Sequence, residues 1–138
     1  MPDSRPAGEA TRRAVLGEAH VSKSQGNATD FDRGFVDLIT EGAWGTVWAS
    51  DAITKRERSM LTLALLAATG NFEEIPMHIR ATANTGATEA DIREALLHVA
   101  IYAGVPAANH AFKIAKLALA GMKADSSADN SGDGEETK

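Results

Sequence analysis

Apolar residues follow a helical period along most of this chain. Between residues 28 and 121 they recur every three or four positions, as on the buried side of an amphipathic helix. No run alternates β-branched or aromatic residues with polar ones between turn signals, which is the pattern of a strand. The sequence therefore predicts an all-α protein, a bundle of about six short helices in antiparallel hairpins.

Capping residues predict where these helices begin and end. Thr54 and Glu57 have the spacing of a capping box, and Thr88 precedes acidic residues that suit the first turn of a helix. Pro106 is suited to the first turn of the last helix. The predicted helices end at Gly17, Gly70, Gly86, Gly104 and Gly121, the second begins at Thr29 or Asp30, and the fourth begins with Asn71 as its N-cap.

Two of the predicted helices are unusually apolar. The third, from Thr54, is apolar on nearly all sides, which predicts a central and buried position. The second is interrupted by Gly42 and Gly45, and glycines inside helices often mark the close approach of another backbone. Its predicted apolar side contains Phe31, Phe35, Leu38, Ile39, Trp44, Val47 and Trp48.

Length and composition narrow the class of protein. A chain of 138 residues is expected to form one domain with its own core. It contains no cysteine, which excludes disulfides and thiol chemistry and fits a reducing cytoplasm. No apolar run reaches the length of a membrane span, and a net charge of -5 argues against nucleic-acid binding.

The two ends of the chain differ from its centre. Residues 1–9 are polar and predicted to be flexible. Residues 123–138 hold five acids and two lysines without a large apolar side chain, a composition typical of disordered segments. The predicted organisation is a flexible N-terminus over 1–9, one helical domain over 10–122 and a disordered acidic tail over 123–138.

Candidate chemistry centres on the stretch "NFEEIPMHIRAT", residues 71–82. Capping accounts for its polar residues up to Met77, but not for His78. Glu74 lies four positions before His78, hence on the same helical face. A histidine beside a carboxylate at the rim of an apolar layer is suited to proton transfer. The alternative is a surface pair with a small effect on stability. Arg80 is a candidate for ion pairing or anion binding.

The other polar and aromatic candidates have ordinary structural explanations. His98 follows Glu94 at the same spacing, within an apolar helix where a core histidine is the default. His110 has small neighbours typical of interhelical packing, and His20 lies in a predicted linker. Trp44 and Trp48 share a helical face, typical of a core or interface, or of the flat wall of a ligand cavity. The sequence contains no metal-ligand pattern.

One long run resembles a known family. Residues 58–119, from "RSMLTLALLAATGNFEEIPMHIR" through "NTGAT" to "VAIYAGVPAANHAF", resemble the carboxymuconolactone decarboxylase family. The segments "RRAVLGEAHV" at Arg12–Val21 and "AWGTVW" at Ala43–Trp48 are similar to the same pattern. The resemblance covers roughly residues 12–120 and implies an alkyl hydroperoxidase D-like fold of helical hairpins.

Redox relatives in that wider family have an R-E-L segment and a C-x-x-C-x-x-x-H motif. A gapless overlay places Ser59 on the glutamate of R-E-L, and Asn71 and Glu74 on the two cysteines. The histidine falls on His78. Without thiols the peroxidase chemistry is excluded, and a Glu-x-x-x-His pair remains where the relatives have Cys-x-x-x-His.

The resemblance implies a reaction and roles for individual residues. The expected reaction is cofactor-independent decarboxylation of 4-carboxymuconolactone to 3-oxoadipate enol-lactone, in the protocatechuate branch of the β-ketoadipate pathway. No metal is expected, and the expected assembly is a homo-oligomer, a trimer or hexamer. His78 and Glu74 are the predicted catalytic residues. The predicted substrate-binding residues are Arg58, Arg80, Trp44, Trp48 and His20.

The chain departs from the family pattern at one point. Decarboxylases of this branch usually have an arginine after the tryptophans, whereas this sequence has Ala49 and Ser50. Arg56, Arg58 or Arg80 are candidates to replace it. The departure leaves open a decarboxylase or isomerase of another unsaturated lactone or oxo-acid. A non-catalytic oligomeric binding protein of the same fold is the alternative outside the enzymes.

Overall fold

The computed structural model describes residues 4–131, with side chains as far as residue 128, and this part of the chain contains helices and no β-strand. The predicted all-α class is confirmed. None of the described helices is long and apolar enough to cross a membrane. In chain order the elements are α1 (Arg5–Leu16), α2 (Glu18–Asn27), α3 (Arg33–Ile39), a π-helix (Thr40–Trp48), α4 (Lys55–Ala68), a 3-10 turn (Phe72–Glu74), α5 (Ile75–Thr85), α6 (Glu89–Tyr102) and α7 (Val105–Ser131).

Residue contacts divide the described chain into two compact units. The first unit comprises the residues up to Leu61 together with Ala81–Ala87. The second comprises Thr62–Arg80 and the residues from Thr88 onward.

The first unit is built on close packing between α1 and the π-helix. A Cβ atom on Gly8 would collide with the carbonyl oxygen of Thr40, and one on Gly45 would collide with that of Ser4. The two backbones therefore approach at glycine positions, as predicted for Gly45. Gly42 has open space around its Cβ position. Val15, Trp44, Trp48 and Ala81 form the buried apolar cluster of this unit.

The second unit has a core of aliphatic side chains against alanines. Ala108, Ala111, Ala115 and Ala118 are buried on α7 at helical spacing, so their small side chains let neighbouring side chains pack close to its axis. The larger members of this core are Leu63, Ile75, Ile79, Ile92, Leu96 and Val99.

The predicted second helix is wrong in extent and in its buried face. The chain instead forms α2, α3 and the π-helix. The wider i→i+5 turn of the π-helix changes the helical register, so one apolar stripe cannot continue from Phe31 to Trp48. The tryptophans are buried, whereas Phe31, Phe35, Leu38 and Val47 are exposed.

Capping was predicted correctly at two helices and wrongly at one. Thr54 and Glu57 bond reciprocally, with Thr54 N–H donating to Glu57 Oε1 at 3.0 Å and Glu57 N–H donating to Thr54 Oγ1 at 3.1 Å. Thr88 and Asp91 form a second capping box. Asn71 does not cap with its side chain, because its amide donates to Thr69 Oγ1 at 2.8 Å instead.

Both predicted flexible ends are helical where the structure describes them. α1 begins at Arg5, whose guanidinium donates to Asp37 at 2.6 Å. α7 continues past Gly121 to Ser131, where the sequence predicts a disordered tail from Lys123. Ion pairs of Lys123 with Glu89 at 3.4 Å, and of Asp125 with Arg80 at 3.2 Å, hold this extension. Residues 1–3 and 132–138 lie outside the described residues.

The predicted burial of α4 on all sides is wrong. Leu63 and Ala67 are buried, but Leu61 and Leu65, four positions apart on another face, are more than half exposed. The chain by itself therefore leaves an apolar face of α4 in contact with solvent.

Candidate functional site

His78 lies in the first turns of α5, in the second unit. Its side chain is 8% exposed, which is unusual for a polar group whose charged form requires solvation. Glu74, in the preceding 3-10 turn, is exposed. The structure thus supplies a buried imidazole with an exposed carboxylate one turn before it.

Arg80 also lies on α5 in the second unit. Its guanidinium donates to Asp125 at 3.2 Å, and the side chain is 53% exposed. It passes over Gly121 of α7, where a Cβ atom would lie 2.9 Å from Arg80 Nη2. Gly121 therefore gives room to this arginine rather than ending the helix.

Trp44 and Trp48 lie one turn apart in the π-helix of the first unit. Their ring centroids are 5.2 Å apart with planes inclined by 31°, a tilted pair at a separation typical of interacting aromatic rings. Both are more than nine-tenths buried. The prediction that the two tryptophans share a face is confirmed. Most of the surface of each tryptophan is buried in the core of the first unit.

Two cationic side chains bind carbonyl groups at the end of the π-helix and in the loop after it. Lys55 Nζ donates to the carbonyl oxygen of Trp48, and Arg58 Nη2 donates to that of Ser50 at 3.3 Å. Cations are favourable at the negative end of a helix. The buried Nε–H of Arg58 has no hydrogen-bond acceptor among the described residues. Arg58 therefore brings a positive charge to the loop that contains Ala49 and Ser50.

Ser59 occupies the position that the redox relatives give to glutamate. It is completely buried, and its hydroxyl is 2.7 Å from that of Thr85 in the same unit. A neutral hydroxyl pair therefore stands where the redox relatives have a carboxylate.

His20 lies in a cavity of the first unit. The cavity has a volume of about 430 Å³, and its wall includes Arg12, Lys23 and Asp32. Neither tryptophan lines it. The structure therefore groups His20 with cationic residues on α1 and α2 rather than with the aromatic pair.

Arg12 is a buried residue of α1 that was not predicted from the sequence. It is 6% exposed, and burial, with a smaller contribution from Arg13, lowers its pKa below the ordinary value. The signal was present in the helical spacing: Gly8, Arg12 and Val15 are the three buried residues of α1. Positions i, i+4 and i+7 lie on one helical face.

The two other helical histidines are exposed. His98 was predicted to be a core residue, which is wrong, because it stacks on Tyr102 at the surface with centroids 4.7 Å apart. His110 contacts the ring of Phe72 at 4.2 Å. Within the described residues, no group of three or more histidine or acidic side chains could hold a metal ion.

Comparison with known proteins gives two similar relatives. The chain is 42% identical over 105 residues to the 4-carboxymuconolactone decarboxylase of Acinetobacter baylyi, an alignment that covers 76% of this chain and 78% of that protein. It is 45% identical over 95 residues to the nitrosuccinic acid decarboxylase of Metarhizium robertsii, covering 69% of this chain and 66% of the relative.

A family model also matches the chain directly. The carboxymuconolactone decarboxylase family model aligns with residues 33–117, a range that includes the π-helix, α4, α5 and α6. This match, together with the extent of the identity to the bacterial decarboxylase, shows that the chain belongs to the carboxymuconolactone decarboxylase family.

Proposed function

We propose that this protein is a carboxy-lyase that converts 4-carboxymuconolactone to 3-oxoadipate enol-lactone, as in the protocatechuate branch of the β-ketoadipate pathway. The observation that carries the proposal is the 42% identity to a decarboxylase of that name, over most of both chains. The cysteine-free composition supports a reducing compartment, and we place the enzyme in the cytoplasm.

The reaction needs two contributions from the protein. When the carbon–carboxylate bond breaks, CO2 leaves and its electron pair moves through the ring double bond into the lactone carbonyl. The resulting dienolate takes one proton at the ring carbon next to that carbonyl. The substrate is thus its own electron sink, and the protein stabilises the oxyanion and delivers the proton.

His78 is our choice for the proton donor or oxyanion partner. Its burial is the supporting observation, since a hydrogen bond to developing charge is stronger where water is excluded. Glu74 is the proposed positioning residue for this imidazole, on the basis of its place one turn earlier.

Arg58 is our choice to bind a substrate carboxylate. Its contact with Ser50 supports this role, because it brings a guanidinium to the loop where the family pattern has an arginine. A guanidinium binds carboxylates through two parallel hydrogen bonds. Arg80 is a second residue that we propose binds a substrate carboxylate. The substrate would then replace Asp125 as the hydrogen-bond partner of its guanidinium. Trp44 and Trp48 are proposed to exclude water.

A second candidate is decarboxylation of a nitro-substituted acid. The 45% identity to a nitrosuccinic acid decarboxylase favours it, together with Ala49 and Ser50 in place of the usual arginine. Loss of CO2 beside a nitro group also delivers electrons to oxygen atoms, so the same protein groups would serve both reactions.

Turnover distinguishes these candidates. Purified protein, without added cofactor, is mixed with 4-carboxymuconolactone or with nitrosuccinate while lactone absorbance and CO2 release are followed. Loss of the lactone with one CO2 per molecule supports the first proposal, and activity on nitrosuccinate alone supports the second. Inactivity on both, by folded protein, supports a non-catalytic binding role.

We also propose that the protein forms a homo-oligomer, a trimer or a hexamer. Exposed apolar residues support association, since large contiguous apolar patches are uncommon on monomers. On α6 and the start of α7, Leu97, Ile101 and Val105 recur every four positions and are exposed. Sedimentation should show an assembly that Ile101→Glu weakens, whereas Ala90→Glu on the same helix leaves it intact.

A further inference from the structure

The cavity around Arg12 in the first unit contains an unusual buried charge. Arg12 Nη2 donates to the neutral hydroxyl of Ser24 at 3.0 Å. Its buried Nε–H has no acceptor within the described part of the chain, and no described carboxylate forms an ion pair with this guanidinium. A buried charge without a countercharge is costly, so an anionic ligand would stabilise this arrangement.

Further polar side chains add one positive charge, that of Lys23, and one imidazole to the cavity. Lys23 and His20, both exposed, line it together with Arg12. Asp32 is the acidic residue of the wall, but its Oδ1 atom accepts the backbone N–H of Thr29 at 2.7 Å. That hydrogen bond partly satisfies its negative charge, and a cationic character remains at the cavity.

The rest of the wall suits a carbon skeleton. Phe35, Val36 and Ile39 are its apolar residues. The volume of about 430 Å³ lies within the range of small-molecule sites. A planar guanidinium matches a carboxylate in geometry, and an apolar wall beside it favours an organic acid over an inorganic ion.

We propose that this cavity binds the carboxylate of a small organic acid, with Arg12 as the main contact, Lys23 as a supporting cation and His20 as a supporting hydrogen-bond donor. The proposed decarboxylation supplies one candidate ligand, the substrate, and that part of the inference rests on the proposed function. The other source is a separate dicarboxylate that regulates the enzyme. The substrate and a regulatory dicarboxylate would both be recognised through a carboxylate on a small carbon skeleton.

Binding of an unreactive acid tests the site without turnover. Succinate, with succinamide as the uncharged control, is titrated calorimetrically into the full-length protein and into Arg12→Gln, Lys23→Gln and His20→Gln. Arg13→Gln is the matched control, because Arg13 lies next to Arg12 but pairs with Glu18 at 3.2 Å outside the cavity. We expect succinate but not succinamide to bind, and Arg12→Gln to weaken it by at least about tenfold.

If Arg12→Gln does not fold, the variants of the two exposed residues still test the site. Lys23→Gln and His20→Gln should each weaken succinate binding severalfold. Absence of succinate binding, or equal affinity in the cavity variants and Arg13→Gln, overturns the proposal. The source of the ligand follows from lactone kinetics. A raised KM in the cavity variants identifies the substrate, and an unchanged KM with lost succinate binding identifies a separate acid. Succinate binding without lactone turnover refutes the proposed function alone.

Discussion

Arg58 donates through Nη2 to the carbonyl oxygen of Ser50, 3.3 Å away. This contact joins the first half of α4 to the loop after the π-helix, within the first unit. It brings a guanidinium to the loop where the chain lacks the arginine of the family pattern, and we propose that Arg58 takes over the role of that arginine.

Replacing Arg58 tests whether this residue binds a substrate carboxylate. Arg58→Lys keeps the charge but loses the planar pair of donors, so binding of a substrate carboxylate should weaken. We expect kcat/KM on 4-carboxymuconolactone to fall by about 10- to 100-fold. Arg33→Lys, at an exposed arginine paired with Asp30, is the control. Equal kinetics for the two variants would show that Arg58 does not contact substrate.

The glycine contacts between α1 and the π-helix predict a large difference between neighbouring positions. Gly45→Ala places a Cβ against the carbonyl oxygen of Ser4, and overpacking of this kind costs about 1–3 kcal/mol. Gly42→Ala, in the same π-helix with open space around it, should be neutral or slightly stabilising. Urea denaturation of both variants measures the difference. Similar stabilities would contradict the close packing.

The Thr54–Glu57 capping box predicts a pH-dependent contribution to stability. Hydrogen bonds from the backbone and then the side chain of Thr54 lower the pKa of Glu57. Because the folded pKa is the lower one, the contribution is fully present above the unfolded value and is lost as pH falls through the folded one.

Thermal denaturation between neutral and acidic pH measures this effect. The wild-type protein should have a higher melting temperature than Glu57→Gln at neutral pH. This difference in melting temperature should disappear as the pH is lowered. Glu41→Gln, at an exposed acid of the π-helix, should show no comparable change. A difference that is independent of pH would mean that the Glu57 charge does not contribute.

Glu74 is predicted to orient the imidazole of His78 and not to contact the reacting atoms of the substrate. Glu74→Gln should lower kcat by less than loss of the imidazole does, and should move the pH profile of kcat to lower pH, since a carboxylate favours the protonated imidazole. Glu73→Gln, at the adjacent exposed acid, is the matched control. Identical pH profiles for the two variants would remove Glu74 from the proposed site.

Local signals in the sequence identified much of the fold. Thr54 and Thr88 mark helix starts because their hydroxyls satisfy backbone N–H groups within three residues. Gly70 and Gly86 mark helix ends because each has a positive φ, of 77° and 85°. Such interactions depend on neighbours in the sequence and are readable without the tertiary structure.

Features that depend on distant residues were not predictable in the same way. Gly121 resembles a helix end, yet α7 continues because Arg80 passes over it and pairs with Asp125. Burial of Arg12 follows a face that was readable, but its cavity depends on α2 and α3. The apolar pattern from Phe31 to Trp48 gave no sign of the π-helix.

The most direct test of the account is the turnover of 4-carboxymuconolactone by His78→Gln. CO2 release is measured for folded wild type, His78→Gln and His98→Gln, with folding verified by circular dichroism. We predict that His78→Gln lowers kcat by at least about 100-fold, while His98→Gln, at an exposed histidine stacked on Tyr102, retains wild-type turnover. A folded His78→Gln variant that releases CO2 at the wild-type rate would contradict it.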